Sequence, residues 1–362
     1  MRRTLALVAV VSTLVAALIT APTANGHAAR RGSTNPLASR PWGVPKDGAD
    51  AVWPAYQQAT ATQQKVLKKI AFRSHARWFT SFIPPSQVGS KVHAYVNELQ
   101  QNQGADVLVP MALFRQWPNH ESNKAQAISQ ADYKHWYDGV AAGLGQARAL
   151  IILEPDLAVA LKGAWQPRTR ESLVAYAANA LSADQNATIY IEAGSADWLT
   201  VSAAATLLKR SGVAKVRGFA LSGTHYDTTV RNIKHGRKIV SKLASLGVPN
   251  KHFVIDTSDN GHGFTFAQYR QRHPGSDVTN PIVCQTKTQR VCETLGIPPT
   301  WKVGLTKWHL PATVATTARR WVDAYVWYNR PWLDHNAGAF EMSRALPLAR
   351  TTPFAMCTTP CG

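Results

Sequence analysis

The sequence predicts one α/β domain built on a distorted parallel β/α barrel of seven strands. Three observations carry this. From about residue 76 onward, short β-type runs alternate with amphipathic helical stretches, the pattern of parallel strands joined by helices. The runs number seven. Acidic or polar residues close almost every run, as in Glu154-Pro155-Asp156, Glu192, Ser222 and Asp256-Thr257-Ser258. In a TIM-like barrel the carboxyl ends of the strands carry the chemistry, so this last feature favours a barrel over an open doubly wound sheet.

In chain order, the sequence opens with Met1-Arg2-Arg3, an apolar stretch from Leu5 to Ile19, and a small-residue segment through Gly26 and Ala28. This is the order of a secretory signal, assigned to residues 1–28 with cleavage near Gly26 or Ala28. The apolar run falls short of the roughly 20 residues that span a bilayer. Export to the extracellular side without stable membrane insertion is therefore expected. A polar tether follows over residues 29–40, and residues 41–362 form the catalytic domain.

The predicted strands are Arg77 to Phe82, Val107 to Leu113, Leu150 to Leu153, Thr188 to Glu192, Val216 to Leu221, His252 to Asp256 and Asp323 to Tyr328. Helices are predicted at Val88 to Gln101, Asp132 to Ala149, Arg168 to Ser182, Val201 to Ser211 and Val230 to Leu246, where apolar residues recur at three and four. Crossovers of this length are right-handed. The segment between Ser258 and Trp321 has little periodicity, and long segments of that kind cover functional clefts.

The four cysteines fall in the last quarter of the chain. They allow three pairings, and the local pairs Cys284–Cys292 and Cys357–Cys361 are expected, each stapling a stretch without its own core. No CxxC spacing is present, and neither metal nor cofactor is expected. The formal charge is +19, and removing Arg2 and Arg3 leaves +17. Such a surface attracts polyanions. No basic run or known motif concentrates the charge, so nucleic acid is not expected as a partner. A basic exterior that keeps the protein near an anionic cell wall is the reading adopted.

Asp156 follows the apolar run Leu150-Ile151-Ile152-Leu153 and precedes Leu157-Ala158-Val159. Partial desolvation there raises a carboxyl's affinity for a proton, and Glu154 adds a like charge. Cleavage of a glycosidic bond needs such an acid. His262 and His225 with Asp227 or Asp256 lack the HExxH or GxSxG context of a metalloenzyme or a hydrolytic triad, and are read as hydrogen-bonded cleft residues.

The stretch Ile151-Ile152-Leu153-Glu154-Pro155-Asp156-Leu157 resembles the signature around the acid catalyst of glycoside hydrolase family 6. Four further stretches follow in the family's order: residues 190–199 (Tyr190 to Leu199), Gly218 to Leu221, Phe253 to Gly261, and Val322 to Trp327. The resemblance implies a secreted endoglucanase or cellobiohydrolase that cuts β-1,4-glucan with inversion on a distorted seven-stranded barrel. It makes Asp156 the general acid, Trp78 an aromatic platform on the non-reducing side and Trp198 a platform on the leaving-group side. Asp334 stands in the loop where the family places an acidic residue and is the expected base. Gln116, Ser122, Glu192, His225, Trp327 and Arg330 complete the expected sugar contacts.

Departures from the family pattern are equally specific. Pro110 replaces a Tyr, and Gln116 replaces an aspartate that tunes the acid; an amide carries no charge and shares no proton but can orient a water. Ser195 replaces a His, Glu192 an Asp, and Ser222-Gly223-Thr224-His225-Tyr226 a longer Asn motif. Asn329 stands at an expected Lys, with Arg330 next. These changes leave two alternatives: hydrolysis of another β-1,4 polymer such as an envelope amino-sugar glycan, or a glycan-binding protein that has lost turnover. The chain is expected to act as a monomer.

Overall fold

The computed structural model describes residues 35–115, 129–161 and 166–355. Its strands are β1 (Arg77–Thr80), β2 (Val109–Phe114), β3 (Ala149–Leu153), β4 (Ala187–Glu192), β5 (Gly218–Leu221), β6 (His252–Asp256) and β7 (Val322–Val326). All pair in parallel in the order β1 to β7. Side chains alternate between two layers, as a pleated strand requires. In β3, Ala149, Ile151 and Leu153 join the core under the helices, whereas Leu150 and Ile152 fill the barrel interior. A strand buried on both faces must be apolar throughout, which is why β3 reads Ala-Leu-Ile-Ile-Leu.

The sheet curls into a barrel without a ladder between its first and last strands. Two bonds span that seam instead: Ala76 N–H donates to Trp327 O at 2.8 Å, and the Trp78 indole donates to Tyr328 O at 2.6 Å. The seven-stranded, distorted barrel matches the sequence reading.

Helices cover the sheet: α1 (Val52–Gln58), α2 (Ala61–Ala71), α3 (Pro85–Gln103), α4 (Gln130–Leu144), α5 (Pro167–Leu181), α6 (Val201–Arg210), α7 (Thr229–Ser245), α8 (Phe266–Arg272), α9 (Ala312–Trp321) and α10 (Met342–Thr351). Several expected boundaries are corrected. Helix α4 stops at Leu144 rather than Ala149, because Gly145 takes φ 59° and Ala149 already belongs to β3. Strand β7 ends at Val326 because the Asp256 carboxylate captures the N–H groups of Tyr328 and Asn329. The end of the expected tether is packed: Leu37 is buried in the barrel interior and the Asn35 amide donates to Asp323 O at 2.6 Å.

Within the long segment, Cys284 and Cys292 form a disulfide, as expected. Cys357 and Cys361 lie outside the described residues. Among the described residues no helix is long and apolar enough to cross a membrane.

Candidate active site

The turn after β3 holds two non-glycine residues at positive φ, Glu154 at 52° and Asp156 at 69°, around Pro155. Such a backbone is costly for L-residues and persists only where its surroundings fix it. Glu154 supplies the anchor. Its carboxylate accepts from Tyr133 Oη at 2.6 Å, Tyr137 Oη at 2.7 Å and Arg115 N–H at 3.3 Å, with the Arg170 guanidinium 3.8 Å away. It is fully buried, and burial pushes its carboxyl pKa up despite those partners. The reversed backbone sends Asp156 the other way, into a cleft it shares with Val159, Trp198, Thr224 and His225.

At the end of β4, Glu192 is fully buried and accepts from Ala158 N–H at 3.4 Å and Gly194 N–H. It therefore ties β4 to the turn that carries Asp156. Burial, and then the Asp156 charge, push its pKa up to about 8. Glu192 thus lies close enough to sense the Asp156 charge from behind the cleft, which it does not itself line.

The opposite wall is a stack. The Trp198 and His225 rings lie 4.7 Å apart at 13°, His225 and Phe266 lie 3.8 Å apart at 5°, and the Arg270 guanidinium sits 5.6 Å over Phe266. Asp197 fixes it by accepting from His225 Nδ1 at 2.8 Å and from Phe266 N–H at 3.0 Å. These bonds outweigh burial and hold the Asp197 carboxyl below its ordinary range. Ser195, at the family's His position, is buried and donates to Asn232 at 3.4 Å, so it works as framework. Gly223 is obligatory: a Cβ there would lie 1.9 Å from the Tyr328 ring.

The loop after β7 is set by β6. Asp256 accepts from Tyr328 N–H (2.6 Å), Asn329 N–H (2.8 Å) and Ser258 N–H (2.7 Å), while the Asn329 amide donates to Asp259 at 2.6 Å. Burial raises both carboxyls, Asp256 to about 6 and Asp259 well above its ordinary value. With donors crowded on Asp256, Asp259 is the member that keeps a proton. Arg330, delivered by this loop, lies 4.2 Å over the Trp78 ring. Burial presses its pKa down to about 10 while Asp156 opposes the fall, and its buried Nε has no hydrogen-bond partner among the described residues.

The structure thus gathers Asp156, Glu192, Trp198 and His225 at one end of the barrel, with Trp78 and Arg330 stacked together. Asp334 is placed differently: its half-exposed carboxylate meets His335 at 2.7 Å and Asn280 at 3.2 Å and does not line the Asp156 cleft. Trp327 corrects the sequence reading. Its ring is 1% exposed, packs against Trp332 and donates to Ile297 O, so it offers no face to a sugar. Gln116 and Ser122 lie outside the described residues. Sequence reasoning missed Asp197, Phe266 and Arg270. The capping box Thr265–Gln268 could have revealed α8, but nothing local tells that this helix faces the β4 loop. Among the described residues no group of three or more His, Cys, Asp or Glu could hold a metal.

A parallel barrel whose strand ends present an acid-bearing turn beside an aromatic wall has the architecture of a glycan-cleaving barrel enzyme. Comparison agrees. The chain matches the family model of glycosyl hydrolases family 6 over residues 40–332. It is 32% identical over 211 residues to endoglucanase A of Cellulomonas fimi, covering 58% of this chain and 44% of that protein. Endoglucanase 1 of Streptomyces halstedii is 28% identical over 256 residues, covering 69% and 79%. The solved endoglucanase Cel6 from Mycobacterium tuberculosis, in complex with methyl-cellobiosyl-4-deoxy-4-thio-β-D-cellobioside, is 30% identical with a TM-score of 0.68, covering 88% of this chain and 99% of that one. The chain belongs to glycosyl hydrolases family 6. It spans less than half the length of the Cellulomonas relative.

Proposed function

We propose that the chain is an exported, inverting β-1,4-glucanase that acts as a monomer and donates its catalytic proton from Asp156. The observation that carries this is the division of labour on the β3 turn, where Glu154 is locked inward and Asp156 is turned into the cleft. In the reaction, Asp156 protonates the glycosidic oxygen as its bond to the anomeric carbon breaks. A water adds to the opposite face of that carbon and gives up its proton. Glu192 accepts from Ala158 N–H and Gly194 N–H beside this turn and so helps to hold Asp156 in position. Trp198 presents its ring to a sugar face on the leaving-group side, and His225 and Arg330 contact hydroxyls. Asp334 receives the water's proton through intervening water, because its carboxylate is already shared with His335 and Asn280.

The test is Asp156→Asn. Hydrolysis of soluble β-1,4-glucan oligosaccharides falls about a thousandfold or more, the scale of general acid catalysis, while oligosaccharide affinity by calorimetry stays the same. A variant with full rate overturns the assignment. Parallel assays on chitosan and chitin oligosaccharides decide against the glucan if those are cut faster.

A further inference from the structure

The outer wall formed by α6, α7 and α9 is charged in one sense. Residues 198–255 contain ten Lys and Arg and a single carboxylate, Asp227, which is taken by Arg231 at 2.7 Å; Arg210 and Arg217 meet Glu171 and Asp323 from neighbouring elements. On α7, Lys234, Lys238 and Lys242 recur at four-residue spacing and share a face, with no carboxylate partner among the described residues. Like charges at that spacing weaken a helix, and an ordinary solvated face intersperses acids to avoid it. Beside this row, the Trp321 ring at the end of α9 meets two guanidiniums, Arg237 and Arg320, each 4.9 Å from a ring centre. The indole thus brings two guanidiniums together across the junction of two helices, and Arg237 also donates to Ser241 Oγ on α7.

We propose that this wall binds an acidic polysaccharide bearing about one carboxylate per sugar. The three lysines stand about 6 Å apart along the helix, a spacing close to the rise of one unit in an extended 1,4-linked chain and far wider than the charge spacing of duplex DNA. Position supports the same reading. Helix α7 begins beside the cleft, and Lys238 lies about 14 Å further along it, so an occupied wall leaves the cleft open. The enzyme is thereby held on an anionic matrix while its neutral substrate enters from another side.

The experiment is affinity electrophoresis of the full chain through gels containing polygalacturonate, at low and high salt. The wild type is retarded and released by salt. Lys234→Gln/Lys238→Gln/Lys242→Gln binds at least tenfold more weakly, with its rate on soluble oligosaccharides unchanged. A control with the same charge loss elsewhere, Lys65→Gln/Lys68→Gln/Lys91→Gln, keeps wild-type retardation. Equal weakening in both variants shows an unspecific net-charge effect and overturns the proposal, as does unaltered binding in the first variant. Tighter binding of duplex DNA than of polygalacturonate at equal salt overturns the choice of partner. Because the readout is retardation, its failure is separate from any failure of the assigned activity.

Discussion

Two carboxylate-bearing loops at the same end of the barrel are built in opposite ways. After β3, Asp156 rides on a backbone reversed at two positions and pinned by a buried carboxylate with three hydrogen bonds and a nearby guanidinium. After β7, Asp334 sits on a half-exposed turn, followed by His335 and Asn336 at positive φ, and its carboxylate is held by side chains that face water. A proton donor must be presented at a fixed point, which demands a rigid turn. A group that takes a proton through water has looser requirements.

The largest expected effect breaks or keeps that asymmetry. Asp156→Asn loses about a thousandfold in kcat, whereas Asp334→Asn loses roughly tenfold. Single-turnover rates on a reduced oligosaccharide measure both. Equal losses would make the two carboxylates a direct acid–base pair, and the contrast between the loops would carry no mechanistic meaning.

The second effect falls on stability. Glu154→Gln removes the counter-charge of buried Arg170 and turns an amide toward hydroxyl and N–H donors. Breaking a buried pair in this way costs about 3–5 kcal/mol, read as a lower urea midpoint, while Asp156→Asn leaves the midpoint within about 0.5 kcal/mol of wild type. If Glu154→Gln unfolds at the wild-type midpoint, the turn is not held by its anchor.

Proton linkage gives the third. Glu192 has a pKa near 8 in the folded chain against 4.5 as its ordinary value, and Asp256 near 6 against 3.8. Folded values above unfolded ones mean that the contribution to stability is complete below pH 4 and is lost as pH rises toward 8. Thermal midpoints therefore decline across that window. Glu192→Gln has no such proton to lose, and its midpoint declines less between pH 5 and 8. A parallel decline in both proteins would show that Glu192 ionises normally.

How much of this was legible in the sequence follows from how local each signal is. Most of the strands were readable because they alternate between two buried layers and so spell a short apolar run with a polar end, whereas β1 buries only Phe79 and β7 carries Asp323. The turn Glu154-Pro155-Asp156 was readable as the polar end of an apolar run, but Tyr133, Tyr137, Arg115 and Arg170, which hold Glu154, come from elsewhere in the chain. Helices α1, α2 and α10 were not anticipated, since they stand outside the strand–helix alternation and gain their burial by packing on one another beside Trp327 and Trp332. The same cluster explains the misreading of Trp327: an indole at a strand end looks alike in sequence whether its face meets a sugar or another tryptophan. Phe266 joins the cleft through its ring contact with His225 some 40 positions away in the chain, and Arg270 through its contact with Phe266; no periodicity encodes that meeting.

The smallest effect concerns the looser of the two loops. His335 bonds Asp334 at 2.7 Å and Asp277 at 3.2 Å, so a single imidazolium clamps the loop after β7 to the segment whose Val278 and Thr279 line the cleft. Hydrogen bonds to both carboxylates, with Asp334 contributing most, raise the His335 pKa above 6.5. The sign for a raised histidine is that the clamp is complete below pH 6.5 and is lost as pH rises through the folded value. Both groups face solvent, so the change is small: KM for a soluble oligosaccharide rises roughly twofold across that range, the scale of an exposed pair, with kcat unaffected. His335→Gln shows the higher KM at every pH. A wild-type KM that stays flat with pH, or a variant in which kcat falls instead, would mean that the exposed loop takes part in the chemistry as rigidly as the turn after β3.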